Sequence, residues 1–205
     1  MSKNVDTSSE RYPGFDVLRQ QDYWDEATRR LVLDRLHNIP PIRFFSPQEV
    51  ETLQAVVDAL MPQDDRTPER RIPIVPFIDD EQFRGENPGY RYEDMPDYRT
   101  AWRWGLEGIN QTSEQLYGNQ FVELGPDEKR AVLGRIQQGD APGKVWDNIP
   151  AGRFFGAVLM RAVLDVYYAH PYAWNEIGYG GPAYPRGYYA LNHGVREHWE
   201  AEERR

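Results

Sequence analysis

The sequence predicts an all-α chain with long irregular connections. Three observations carry that reading. Apolar residues recur at helical spacing in several separate windows, no block of alternating apolar and polar residues marks a strand, and Pro- and Gly-rich stretches divide the periodic windows. No internal repeat is visible. The expected architecture is an irregular helical domain of about five to seven helices, closed by an aromatic Gly/Pro-rich C-terminal segment.

The first dozen residues are polar and are expected to be loosely held. From Phe15 to His37 the pattern is helical, with Val17, Trp24 and Leu31 one heptad apart and a heavily charged opposite face. Asn38–Ile39–Pro40–Pro41 ends it, because consecutive prolines deny a helix its donors. "FFSPQEVETLQAVVDALMP" is the clearest local signal. Ser46 suits an N-cap, Pro47 the first helical position and Glu49 the third, which completes a capping box. Phe45 is placed to staple onto Val50, while Val50, Leu53, Val57 and Leu60 form one apolar face and Pro62 stops the helix.

"QDDRTPERRIPIVPFIDDEQFRGENPGY" is mostly loop, with a short helix around Val75–Phe83. Helix returns from Asp97 to Tyr117, where Trp102, Leu106, Ile109, Ser113 and Leu116 alternate spacings of four and three. A short helix opens at Pro126 and ends near Gly139. Arg153 to Tyr168 is the most apolar helix, and its broad stripe of Phe155, Val158, Leu159, Ala162, Val163 and Val166 makes it central. The closing "VREHWEAEERR" is polar and helix-prone. The chain divides into an N-terminal arm with a surface helix, 1–43, and a helical domain, 44–205.

Composition narrows the function. A net charge of −9 argues against a general nucleic-acid surface, which needs a basic field. With no cysteine, disulfides, thiolate metal sites and Cys nucleophiles are excluded. No apolar run spans a bilayer, and the opening residues carry no apolar signal core, so the chain is expected in the cytoplasm unless an exported partner carries it to the periplasm. The expectation is no catalytic, cofactor or metal residue in this chain.

Catalytic signatures are sparse. No dinucleotide, phosphate-loop, metalloprotease or nucleophile-elbow motif is present. "GYGGP" lacks the following helix that a phosphate cradle needs, so tight turns that bring backbone close to neighbours are the better reading. His193 and His198 are five apart, not the four that stacks two ligands on a helix face. His170 and Glu176 flank "PYAWN" as a candidate acid–base or metal pair, although a His before Pro more often caps the preceding helix. The paired carboxylates Asp64–Asp65, Asp79–Asp80 and Glu202–Glu203 read as solvated faces.

The window "YYAHPYAWNEIGYGGPAYPRGYY", residues 167 to 189, is different. Only Glu176 and Arg186 are charged, among crowded Tyr, Trp, Gly and Pro. Rigid aromatic area with an Arg and little other charge is the composition of an interface core. The candidate partner contacts are His170, Tyr172, Trp174, Asn175, Tyr179, Tyr184 and Arg186, with Trp174 and Arg186 as anchors facing outward. The competing reading is a segment that closes its own helical core.

Four blocks in order, "FFSPQEVETLQAVVDALMPQDD", "IPIVPFID", "FVELGPDEKRAVL" and "FFGAVLMRAVLDVYYAHPYAWNEIGYGGPAY", resemble gluconate 2-dehydrogenase subunit 3 over roughly Phe44 to Gly187. The resemblance implies a non-catalytic accessory subunit. Its partner would be a large FAD-dependent dehydrogenase of the glucose–methanol–choline type, with a cytochrome subunit accepting electrons in some complexes. The small subunit would bind, stabilise and help mature the flavoprotein, often with twin-arginine export. The alternatives are a stand-alone enzyme using His170 and Glu176, and a structural protein that assembles through its aromatic segment.

Overall fold

A computed structural model describes residues 11–189 and 194–204. In chain order the helices are α1 (Glu26–His37), α2 (Pro47–Leu60), α3 (Ile74–Arg84), α4 (Tyr98–Tyr117), α5 (Pro126–Gln138), α6 (Ala151–Arg153), α7 (Arg161–Tyr168) and α8 (Pro171–Ile177). No strand occurs among the described residues, so the fold is all-α as the periodicity predicts. The eight helical stretches exceed the expected number for two reasons. A π-helical segment, Phe154–Met160, separates α6 from α7, and α8 forms inside the aromatic window.

The chain divides into two compact units: Pro40–Val166, and Met1–Ile39 with Tyr167–Arg205. In the first, α2 packs against α3, α4 and α5. Leu53 and Val57 are buried as predicted, together with Thr52 and Val56, whereas Val50 and Leu60 are only half-buried. The capping box at Ser46 is present: Glu49 N–H donates to Ser46 Oγ at 3.3 Å, and Ser46 N–H to Glu49 Oε2 at 2.8 Å. Phe45 is buried with its ring edge-on to Trp102, 5.8 Å away.

The chain reaches α2 over a carboxylate. Asp79, fully buried on α3, accepts the backbone N–H groups of Arg43 at 2.7 Å, Phe44 at 3.0 Å and Phe45 at 2.8 Å. Asp79 is therefore no part of a solvated acidic face. A buried carboxylate is tolerable where several donors satisfy its oxygens.

α4 supplies the middle of this core with Ala101, Trp102, Leu106 and Ile109, while Leu116 at its far end is exposed. Two of its glycines receive aromatic rings. A Cβ on Gly105 would lie 2.1 Å from the Phe154 ring, and one on Gly108 would lie 2.5 Å from Trp146. Phe154, Phe155, Val158 and Leu159 are buried, so the stretch read from sequence as the central helix is central, but it runs through a π segment. Its buried residues, Phe154 with Val158 and Phe155 with Leu159, are four apart, a spacing that fits either the α or the wider π turn over so short a stretch.

In the second unit, a 3₁₀ stretch, Val17–Tyr23, precedes α1. One helix from Phe15 to His37 does not form. Trp24 is extended, and Asp25 caps α1 by accepting the Thr28 N–H at 2.7 Å, so the break is a new helix start. The N-terminal stretch does not stand by itself, because Val17 N–H donates to Asn175 Oδ1 at 2.8 Å. The predicted helix after Val195 is also absent among residues 194–204. Trp199 is buried there, and the Glu200 carboxylate takes the Glu197 N–H, so the backbone turns instead of winding.

Candidate partner-binding surface

His170 begins the aromatic segment as the N-cap of α8. Its Nδ1 accepts the Tyr172 N–H at 3.2 Å, and Pro171 follows at the first helical position, where no donor is needed. The expectation that His170 caps the preceding helix is thus reversed. Gly178 ends α8 with φ 69°, a left-handed conformation that favours glycine.

α8 is a wedge. Pro171, Ala173, Trp174 and Asn175 are buried, and Trp174 joins Val17, Trp24 and Val32 in one apolar cluster. The Trp174 indole N–H donates to the Tyr168 carbonyl at 2.6 Å, and Tyr179 stands edge-on to its ring at 5.3 Å. The sequence places Trp174 on the outside as an anchor. Burial puts it in the interior, because a large ring with a satisfied N–H gains most by leaving water.

The glycines that follow serve the unit's own rings. A Cβ on Gly178 would lie 2.7 Å from Tyr12, one on Gly180 would lie 2.5 Å from Trp199, and one on Gly181 would lie 2.7 Å from Trp24. The close backbone approach expected of these tight turns is to rings of the same unit. Arg186 ties the loop down. Its guanidinium lies 3.5 Å from the Trp199 ring centroid and donates to the Gly180 carbonyl at 2.5 Å and to Gln20 Oε1 at 3.3 Å. Burial lowers the Arg186 pKa, against the opposing pull of Tyr188, Tyr179 and Tyr23.

What this framework leaves in solvent is tyrosine. Tyr184 is 70% exposed, Tyr189 77%, Tyr188 52% and Tyr179 39%, with Tyr23, Tyr168 and Ile177 also exposed in this unit. Of the seven sequence candidates, Tyr179 and Tyr184 face outward and Tyr172 and Arg186 are half-buried. His170, Trp174 and Asn175 are interior and position the rest. Tyr188 and Tyr189 were not singled out by sequence, although they lie in the same low-charge window; only burial separates them from Trp174.

The other candidate chemistry is dispersed. His170 and Glu176 sit at opposite ends of α8, and Glu176 Oε2 accepts the Tyr167 hydroxyl at 2.7 Å. His37 and His198 are exposed, and His193 lies outside the described residues. Among the described residues no three His, Asp or Glu side chains gather where they could hold a metal ion, and no helix is long and apolar enough to cross a membrane.

The structure is that of a helical protein whose aromatic segment keeps Trp174 inside and several tyrosines in solvent. The family model for gluconate 2-dehydrogenase subunit 3 matches residues 47–181, and the chain belongs to that family. The match runs from the first residue of α2 to Gly181, as the four sequence blocks predict. By its name the family is one subunit of a dehydrogenase complex. No curated protein and no solved structure matches the chain.

Proposed function

We propose that this chain is a non-catalytic accessory subunit that binds, stabilises and helps mature an FAD-dependent sugar or polyol dehydrogenase of the glucose–methanol–choline type. The FAD belongs to that large partner, and a cytochrome subunit completes the complex where electrons leave it. The observation that carries the reading, beside family membership, is the set of exposed tyrosines held on a locked loop. Tyr offers rigid contact area with a polar tip, and a loop already fixed by Trp24, Trp199 and Arg186 loses little entropy on docking. Binding only the folded partner stabilises it by mass action, by about 2.7 kcal/mol at a concentration 100 times Kd.

The test is co-expression with the neighbouring oxidoreductase reading frame and purification through a tag on one chain. The expected result is a co-purifying, FAD-loaded large subunit. Tyr184→Ser with Tyr189→Ser should weaken co-purification at least about tenfold while leaving this chain's own melt within a few degrees. Unchanged co-purification by that double variant would move the interface elsewhere on the molecule. Turnover by the isolated chain, lost on His170→Ala, would replace the reading with an enzyme.

A further inference from the structure

A second feature lies within the unit Pro40–Val166, where α2 and the start of α5 border a groove of about 700 Å³. Its floor is apolar. Val50, Ala55 and Ala59 come from α2, Pro62 lies just past its end, and Val122 and Pro126 stand opposite. Ala55 and Ala59, one turn apart, are too short to fill the space above them. The sequence assigns Val50 to the core face of α2, yet it is half-buried, and this groove is where its exposed part lies.

The two rims carry charges that the chain itself leaves unmatched. On the α2 rim, Glu51 and Asp58 are exposed and two turns apart on a regular α-helix, roughly 10 Å. Among the described residues the Glu51 side chain has no hydrogen bond or ion pair, and Asp58 accepts only from the neutral Gln54 amide, at 2.9 Å. On the α5 rim, the Lys129 ammonium reaches the Val122 carbonyl at 3.1 Å and lies over the Phe121 ring, but meets no carboxylate. The other charges at the groove are answered within the chain: Arg130 pairs with Asp127, and Asp64 with Arg71. An apolar floor is thus left between two free carboxylates and one free ammonium.

Shape and charge together select the occupant. A second copy of the same face fits badly, because two concave surfaces laid together enclose a hollow, whereas close packing sets a ridge into a groove. A helix supplies that ridge. Lying along α2, it also repeats with the same rise, so basic side chains two turns apart on one edge meet Glu51 and Asp58 together. We propose that this groove receives an amphipathic helix of a protein partner. Its apolar face lies on Val50, Ala55, Ala59 and Val122, a basic edge runs along Glu51 and Asp58, and an acidic residue faces Lys129. The proposal does not rest on the dehydrogenase reading, nor on the exposed tyrosines, which belong to the other unit.

The test uses the full chain and a fluorescein-labelled helical peptide of about twenty residues, long enough to hold helix in water, read by anisotropy. The peptide has a leucine face, two lysines two turns apart on one edge and a glutamate on the other. Saturable binding that weakens with added salt is expected. Glu51→Lys with Asp58→Lys should weaken it at least about tenfold, and that variant should instead bind a peptide whose lysines are glutamate. Asp22→Lys with Glu26→Lys makes the same change of net charge at exposed positions in the other unit, and should leave binding as in the wild type. Val122→Asp, at a position 37% exposed, should fold normally and also weaken binding. Unchanged binding by the Glu51/Asp58 variant, an equal loss in the Asp22/Glu26 variant, or no saturable binding would each overturn the proposal. A dimer of the chain that Val122→Asp dissociates would overturn it too, in favour of a second copy in the groove.

Discussion

In the unit Pro40–Val166, the rings of Phe154 and Trp146 lie on Gly105 and Gly108, inside the twenty-residue helix α4. In the unit formed by the two ends of the chain, Tyr12, Trp199 and Trp24 lie on Gly178, Gly180 and Gly181. The device is the same and the setting differs. α4 would hold its backbone by its own ladder of hydrogen bonds, so the rings there add packing to a shape already set. The loop after α8 has no such ladder, so rings arriving from far along the sequence set its shape. One unit is stable locally and then packed; the other is shaped by its packing. The exposed tyrosines Tyr179, Tyr184, Tyr188 and Tyr189 sit on the second kind, where displacing one ring alters the loop that carries them.

Removing a ring should therefore have its largest effect where the core is deepest. Phe154 is fully buried and meets Trp102 edge-on at 6.0 Å as well as Gly105. Phe154→Ala should lower stability by about 3–5 kcal/mol in chemical denaturation. Gly105→Ala tests the same contact from the other side. Its Cβ would sit 2.1 Å from the ring, so overpacking should cost about 1–3 kcal/mol even though alanine favours helix. A stabilised Gly105→Ala would show that the ring yields freely and that the contact is loose.

The loop unit should respond differently. Gly181 has φ 79°, and its Cβ would lie 2.7 Å from Trp24, so Gly181→Ala combines backbone strain with a clash. The expected loss is about 2–3 kcal/mol. Gly187 has a similar φ of 71° and open space around it, so Gly187→Ala should show the backbone share alone, about 1 kcal/mol. Hydrogen exchange should localise the damage: faster exchange in α1 and α8 on Gly181→Ala, with α4 protected as before. Uniform loss across both units would mean that they unfold as one.

The same contrast explains what the sequence discloses. The Ser46 capping box, the helix beginning at Asp97 and the end of α5 near Gly139 are as expected, because each is fixed by residues within one turn. Asp79 is not legible, since its donors lie more than thirty residues earlier and its carboxylate looks like any other in an acidic pair. Nor is the π segment, whose apolar pattern fits either helix. In the aromatic window, composition marks a region of rings and glycines but cannot sort Trp174, which is interior, from Tyr184, which is exposed. That sorting depends on Val17, Trp24 and Val32, a long way off in sequence.

A smaller effect sharpens the comparison within the helical unit. Gly134 lies inside α5 with nothing within 4 Å of an added Cβ. Gly134→Ala should stabilise the protein by about 0.5–1 kcal/mol, through helix propensity and a less free unfolded chain. It differs from Gly105→Ala only in what the new methyl meets. A loss of Tm on Gly134→Ala would show that α5 does not hold regular helix at that point.

The smallest effect is electrostatic. Glu81, on α3, has its pKa raised, first by burial and then by Glu86, Asp165 and Asp80, with Arg84 opposing. Between the ordinary glutamate range and that raised value, the folded state holds a proton that the unfolded state has released. The slope of stability against pH is therefore negative across that window: this group favours folding on the acid side and costs stability once ionised. Glu81→Gln removes the charge without changing the shape. Its Tm should equal wild type below the glutamate range and exceed it slightly at neutral pH, with the two curves parting through the window. The difference should shrink in salt, because Glu81 is only partly shielded from solvent. A Gln variant that is less stable than wild type at neutral pH would show instead that the carboxylate holds a favourable partner there, and that Arg84 outweighs burial.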